Sequence, residues 1–89
     1  MPQECQYNSL INKVVFITGG ASGIGAAMVD AFIAQEANVA FIDIDEDKAH
    51  QLISTVPKSH HNRLWFKQVD VTNSELLQQS IEQAADHFN

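Results

Sequence analysis

The chain has one cysteine among its 89 residues, Cys5, which excludes an intrachain disulfide and leaves a free thiol in a polar N-terminal stretch. A reducing, cytoplasmic setting is the expectation. Basic residues are scarce, five against eleven acidic ones, and the resulting net charge of −6 repels nucleic-acid phosphates and anionic lipid headgroups. Neither nucleic acid nor a membrane surface is expected as a partner. Long apolar runs are missing too: Val14 to Ile17, preceded only by Lys13 as a positive charge, is too short for a signal-peptide core or a membrane span. No export is expected. Without disulfides, a domain this small is expected to be marginally stable unless further chain completes it.

What is present is the balance of an ordinary globular domain, 45% hydrophobic and 18% charged, and enough chain for one such domain at most. Residues 1–12 form a polar lead segment without a sustained period. From Lys13 to Thr18 a β-branched and aromatic run ending at glycine predicts a buried strand. Between Gly23 and Gln35 the residues Ile24, Ala27, Met28, Ala31 and Phe32 recur at helical spacing and predict one apolar helix face. Asn38 to Asp43 predicts a second strand. Asp45, Glu46 and Asp47 open a helix whose stripe is Ala49, Leu52, Ile53 and Val56, and Pro57 ends it. A polar loop to Asn62, a third strand over Leu64 to Val69, and a helix from about Asn73 to Phe88 complete the pattern. In that last helix Thr72 and Glu75 have capping-box spacing, and Leu77, Ile81, Ala84, Ala85 and Phe88 share a side.

The order βαβαβα predicts an α/β fold, because each helix must return the chain along the sheet by a right-handed crossover. The expected architecture is a Rossmann-type parallel sheet in strand order 3-2-1 with helices on both faces.

All four glycines, Gly19, Gly20, Gly23 and Gly25, fall within seven positions between the first strand and the first helix. A tight turn or close packing accounts for one or two of them. Four predict that backbone also approaches a ligand, with the helix N-terminus offering free N–H groups and partial positive charge to a pyrophosphate. A P-loop is excluded, since Ala26 follows Gly25 where a lysine would be needed.

Thr18-Gly19-Gly20-Ala21-Ser22-Gly23-Ile24-Gly25 departs from G-x-G-x-x-G and resembles the T-G-x-x-x-G-x-G loop of the short-chain dehydrogenase/reductase family, a resemblance that extends over residues 13–88. It implies cofactor contacts at Gly19, Ser22, Gly23, Ile24 and Gly25, with Ile24 against the cofactor phosphates. Asp43, eighteen positions after Gly25 at a strand end, is placed to accept hydrogen bonds from the adenine-ribose hydroxyls. Its charge opposes a 2′-phosphate, and neither Ser22 nor Ile44 is basic, so the expected cofactor is NAD(H). Asp70-Val71 looks like the family's D-V pair, whose aspartate contacts the adenine amino group while the next residue borders the ring. Asp70 is left free for this if Thr72 is the helix cap.

Catalytic residues are not assigned. The family uses a serine, a tyrosine and a lysine four residues after that tyrosine, whereas here the only tyrosine, Tyr7, is followed four residues later by Ile11 and precedes the first strand. No metal site is expected: His60 and His61 read as solvated loop residues, and His50 and His87 have no nucleophile to pair with. The leading expectation is an NAD(H)-dependent oxidoreductase acting on an alcohol or carbonyl substrate, with residues 13–89 as the first half of its dinucleotide-binding domain and the chain inactive alone. Homo-oligomer formation by the full-length protein stays open. The alternatives are a non-catalytic nucleotide-binding or interaction module complete at this length, and a defective fragment that binds nothing.

Overall fold

The computed structural model describes residues 11–88; Cys5 and Tyr7 lie outside them. Strand β1 (Val14–Thr18) leads through the glycine loop into α1 (Gly23–Ala34), and β2 (Asn38–Asp43) leads into α2 (Glu46–Thr55). After a 3-10 helix (Lys58–Arg63), β3 (Leu64–Gln68) leads into α3 (Ser74–Phe88). Both strand pairs are parallel and β2 lies between β1 and β3, which is the expected 3-2-1 order read from the opposite edge. Val39, Ala40, Phe41 and Ile42 of β2 are all fully buried, as a strand covered on both faces must be. Side chains alternate across the pleat. One face presents Val15, Ile17, Val39, Phe41, Leu64 and Phe66 to α1 and α2, and the other carries α3.

Helix α2 buries Ala49 and Leu52, with Val56 just beyond its end, as its stripe predicts. Two other stripes are as expected only in part. Helix α1 buries Val29 and Ile33 with Phe32 half-buried beside them, while Ile24, Ala27, Met28 and Ala31 face solvent. It is apolar on nearly every side, so spacing along the sequence cannot say which face meets the sheet. Of the expected α3 stripe Ala84 is buried and Leu77 and Phe88 are half-buried, whereas Ile81 and Ala85 are exposed and Ser80 is buried. Burial of Ser80 is tolerated because its hydroxyl donates to the Leu76 carbonyl, 2.7 Å away, leaving no unpaired polar group.

Local caps also differ from expectation. The Asn73 side chain, not Thr72, caps α3 by accepting from the Leu76 N–H at 3.1 Å. The stretch expected as a polar loop is the 3-10 helix, and His61 is not a free solvated residue. Its Nε2 donates toward the carbonyls of Ile53 and Val56, at 3.1 and 2.8 Å, which ties the ring to the end of α2, where the Ile53 carbonyl also accepts from Val56 N–H. Phe66 packs against Phe41 with ring centroids 5.0 Å apart, as a packing residue should.

Candidate functional site

The carboxyl ends of all three strands meet at one place because the sheet is parallel. Gly19 and Gly20 N–H groups both donate to the Ile42 carbonyl, at 2.9 and 3.2 Å, and Val69 N–H donates to the Asp43 carbonyl at 3.1 Å. These bonds draw the loops after β1, β2 and β3 around a cleft of about 270 Å³ lined by Thr18, Gly19, Asp43, Ile44, Val69, Asp70 and Val71. Ligand clefts for whole drug-sized molecules run to about 300–1,000 Å³, so this one suits a nucleoside-sized group.

The glycine loop shapes one wall, and its four glycines divide into two kinds. A Cβ at Gly25 would lie 2.1 Å from the Gly19 carbonyl oxygen, and one at Gly20 would lie 2.7 Å from Phe41 Cβ. Gly19 and Gly23 have room around them but adopt φ of +67° and +58°, a region that costs a residue with a Cβ about 1–2 kcal/mol. All four thus have a structural reason. Packing accounts for Gly20 and Gly25 and backbone conformation for Gly19 and Gly23, so the number of glycines by itself does not distinguish a ligand loop from a tight turn.

Ligand capacity rests instead on the start of α1. Its N-cap, Ser22, makes no side-chain cap bond and no acid stands in the first turn, whereas α2 carries the Asp45 cap with Glu46 and Asp47. The first-turn N–H groups and positive dipole end of α1 are therefore left for an external anion. The open space at Gly19 and Gly23 lets such a group come close. The residues present fit a dinucleotide: the helix start could take a pyrophosphate and the cleft an adenosine-sized group.

Asp43 is half-buried between two loops. Its Oδ2 accepts from Ala21 N–H at 3.0 Å and its Oδ1 from Asp45 N–H at 2.9 Å. Ile44 is 62% exposed beside it, and Ile24 on the rim of the loop is 81% exposed. Asp70 and Val71 close the far side, Val71 largely exposed. Asp43, Ile44, Asp70 and Val71 thus share the cleft with Gly19; Ser22, Gly23 and Ile24 stand at the adjoining helix start, and Gly25 is absorbed in packing.

Asp70 does not cap α3, but its carboxyl is engaged within its own turn. Its Oδ1 accepts from both the hydroxyl and the backbone N–H of Thr72, at 2.7 and 2.9 Å. First the hydroxyl and then the N–H hold the carboxyl below its ordinary pKa of 3.8. The stability this contributes is present at neutral pH and is lost as pH falls through the lowered value, below 3.8. Thr72→Val removes only the hydroxyl bond, so the Asp70 midpoint in a carbon-detected NMR titration is expected to rise toward ordinary. An unchanged midpoint would show that the hydroxyl bond does not form. The sequence carries a signal for this turn, a threonine two residues after an aspartate, which capping-box spacing obscured.

Thr18, at the end of β1, and Val69, held just past β3 by its N–H bond to the Asp43 carbonyl, also line the cleft. Among the described residues no group of three or more His, Cys, Asp or Glu could hold a metal, and no helix is long and apolar enough to cross a membrane.

Comparison with known proteins places this geometry. Residues 13–89 match the family described as short chain dehydrogenase. The "Probable galactose dehydrogenase GalD" of Rhizobium meliloti is 38% identical over 79 residues, 89% of this chain and 31% of that protein. A short chain dehydrogenase from Bacillus anthracis superposes with a TM-score of 0.75 at 31% identity, over 85% of this chain and 31% of that one. The 3-ketoacyl-(acyl-carrier-protein) reductase of Brucella melitensis, solved with NADH, superposes with a TM-score of 0.76 at 25% identity, over 89% of this chain and 31% of its own. The chain spans about a third of the length of these relatives. With the match running from the first strand to the end of the sequence, and the same fold in the solved relatives, the chain belongs to the short-chain dehydrogenase family.

Proposed function

We propose that these 89 residues are the cofactor-binding part of an NAD(H)-dependent oxidoreductase acting on an alcohol or carbonyl substrate. In this reading residues 1–12 are a lead segment and residues 13–89 the first half of a dinucleotide-binding domain. The observation that carries it is the cleft where three parallel strands end beside an uncapped helix start, the place where open α/β sheets bind nucleotides. Gly19, Ser22, Gly23, Ile24 and Gly25 would surround the pyrophosphate, Asp43 would accept from the adenine-ribose hydroxyls, and Ile44, Asp70 and Val71 would flank the adenine. When bound, the nicotinamide supplies or accepts the hydride. The carboxylate at Asp43, with no basic side chain at Ser22 or Ile44, supports NAD(H) over NADP(H). That the Brucella melitensis relative was solved with NADH supports the same choice.

The adenosine contacts all come from these loops, whereas no Tyr-x-x-x-Lys occurs in the sequence to move the substrate proton. Mixing the purified chain with NAD and a panel of secondary alcohols is therefore expected to give no NADH absorbance. A longer chain that adds Tyr-x-x-x-Lys is expected to turn over. Turnover by the 89 residues alone, abolished by mutating Gly23 or Asp43, would overturn the division of labour.

A further inference from the structure

We infer that Asp43 is a positioning residue for the glycine loop: its carboxylate ties Ala21 N–H in the loop after β1 to Asp45 N–H in the loop after β2, and so holds the nucleotide cleft open before any ligand arrives. The inference rests on the nucleotide-binding reading but adds a duty that ribose recognition does not require. Ala21 is buried, 7% exposed, and its N–H has Asp43 Oδ2 at 3.0 Å as its partner across 22 residues of chain. The opposite oxygen is held by Asp45 N–H at 2.9 Å, so the carboxylate cannot swing without breaking a charge-assisted bond at one side or the other. Asp45 in turn caps α2 through Lys48 N–H. Ala21 lies between Gly20, whose N–H is bonded to the Ile42 carbonyl and whose Cα has no room for a side chain against Phe41, and the Ser22 start of α1. Fixing the Ala21 amide therefore fixes the direction in which the first-turn N–H groups of α1 point. Each carboxylate oxygen has a second lone pair, and these remain for ligand hydroxyls.

The two duties separate with a ligand that lacks the hydroxyls. ADP and 2′,3′-dideoxyadenosine 5′-diphosphate differ only in the groups that Asp43 would recognise directly. If Asp43 acts solely through the ribose, Asp43→Ala binds the dideoxy ligand as well as the unmutated chain does, or better, since a negative charge has been removed near an anion. If it positions the loop, Asp43→Ala loses about tenfold on the dideoxy ligand as well, the cost of ordering the loop on binding. Asp43→Asn, which keeps one acceptor oxygen, is expected to recover part of that loss. Affinities are read by NMR titration of the 89-residue chain, with amide exchange at Ala21 and Phe41 recorded in each variant. Faster exchange at Ala21 with Phe41 unchanged supports a local role; equal acceleration at both would mean general destabilisation and overturn it. Undiminished binding of the dideoxy ligand by Asp43→Ala also overturns it. Should the unmutated chain bind neither nucleotide, the nucleotide reading fails, and exchange at Ala21 still decides whether Asp43 holds the loop.

Discussion

Gly25→Ala is expected to lower the stability of the chain by about 3 kcal/mol or more, at the upper end of what overpacking costs. The added Cβ would stand 2.1 Å from the Gly19 carbonyl oxygen and 2.9 Å from Gly20 Cα, and both are backbone atoms of a loop already bonded to β2. Relief would require α1 to lift from the sheet that covers Val29 and Ile33. For a domain of this size each kcal/mol moves the thermal midpoint by about 4–8 °C, so a fall on the order of 15 °C is anticipated. Gly23→Ala is the control. It meets no atom within 4 Å and carries only the cost of a left-handed φ of +58°, about 1–2 kcal/mol. Urea denaturation followed by circular dichroism compares them, and equal midpoints for the two variants would contradict the packing role of Gly25.

If the chain is part of a longer NAD-binding protein, as proposed, Asp43→Ala in that protein is expected to weaken NAD by roughly one to two decades, the worth of a charge-assisted hydrogen bond of about 1.5–3 kcal/mol. NADP is expected to change less. Both cofactors would lose the loop held through Ala21, but only NADP would gain from removing a carboxylate that, in the proposed pose, would face its 2′-phosphate. Dissociation constants for the two cofactors, measured on both proteins at one ionic strength, check this. Equal affinity of the unmutated protein for NAD and NADP would remove the basis for assigning NAD.

The fold class was legible in the residues, and so was the gathering of the candidate site residues at the strand ends. Strands announced themselves as β-branched runs at Val14, Asn38 and Leu64, helices as apolar periods between them, and their alternation permits little besides a parallel sheet. Parallel strands all end on one side, so Gly19, Asp43 and Asp70, each just at or past a strand end, had to converge. Chain order and backbone geometry suffice for that.

Tertiary packing decided what periodicity left degenerate. Helix α1 offers two apolar stripes, Ile24-Ala27-Met28-Ala31 and Val29-Ile33, and only contact with Ile17, Val39 and Phe41 selects the second. In α3 the sheet accepts Ser80 and Ala84, small residues that allow close approach, while Ile81 stays outside although it is the more hydrophobic. Packing distance between a helix and a sheet is a property of both surfaces, and one helix's sequence does not contain it. Side-chain partners were hidden for a related reason. The bond from Ala21 N–H to Asp43 spans 22 positions and exists only because β1 and β2 are neighbours, whereas the Thr72 bonds to Asp70 were local but competed with an equally plausible cap. The sequence alone therefore specified which groups gather at the strand ends, and the folded chain settled which of them hold the loops and which stay open to a ligand. Gathering follows from topology; division of labour follows from distances of about 3 Å, which hydrogen bonds resolve and residue spacing does not.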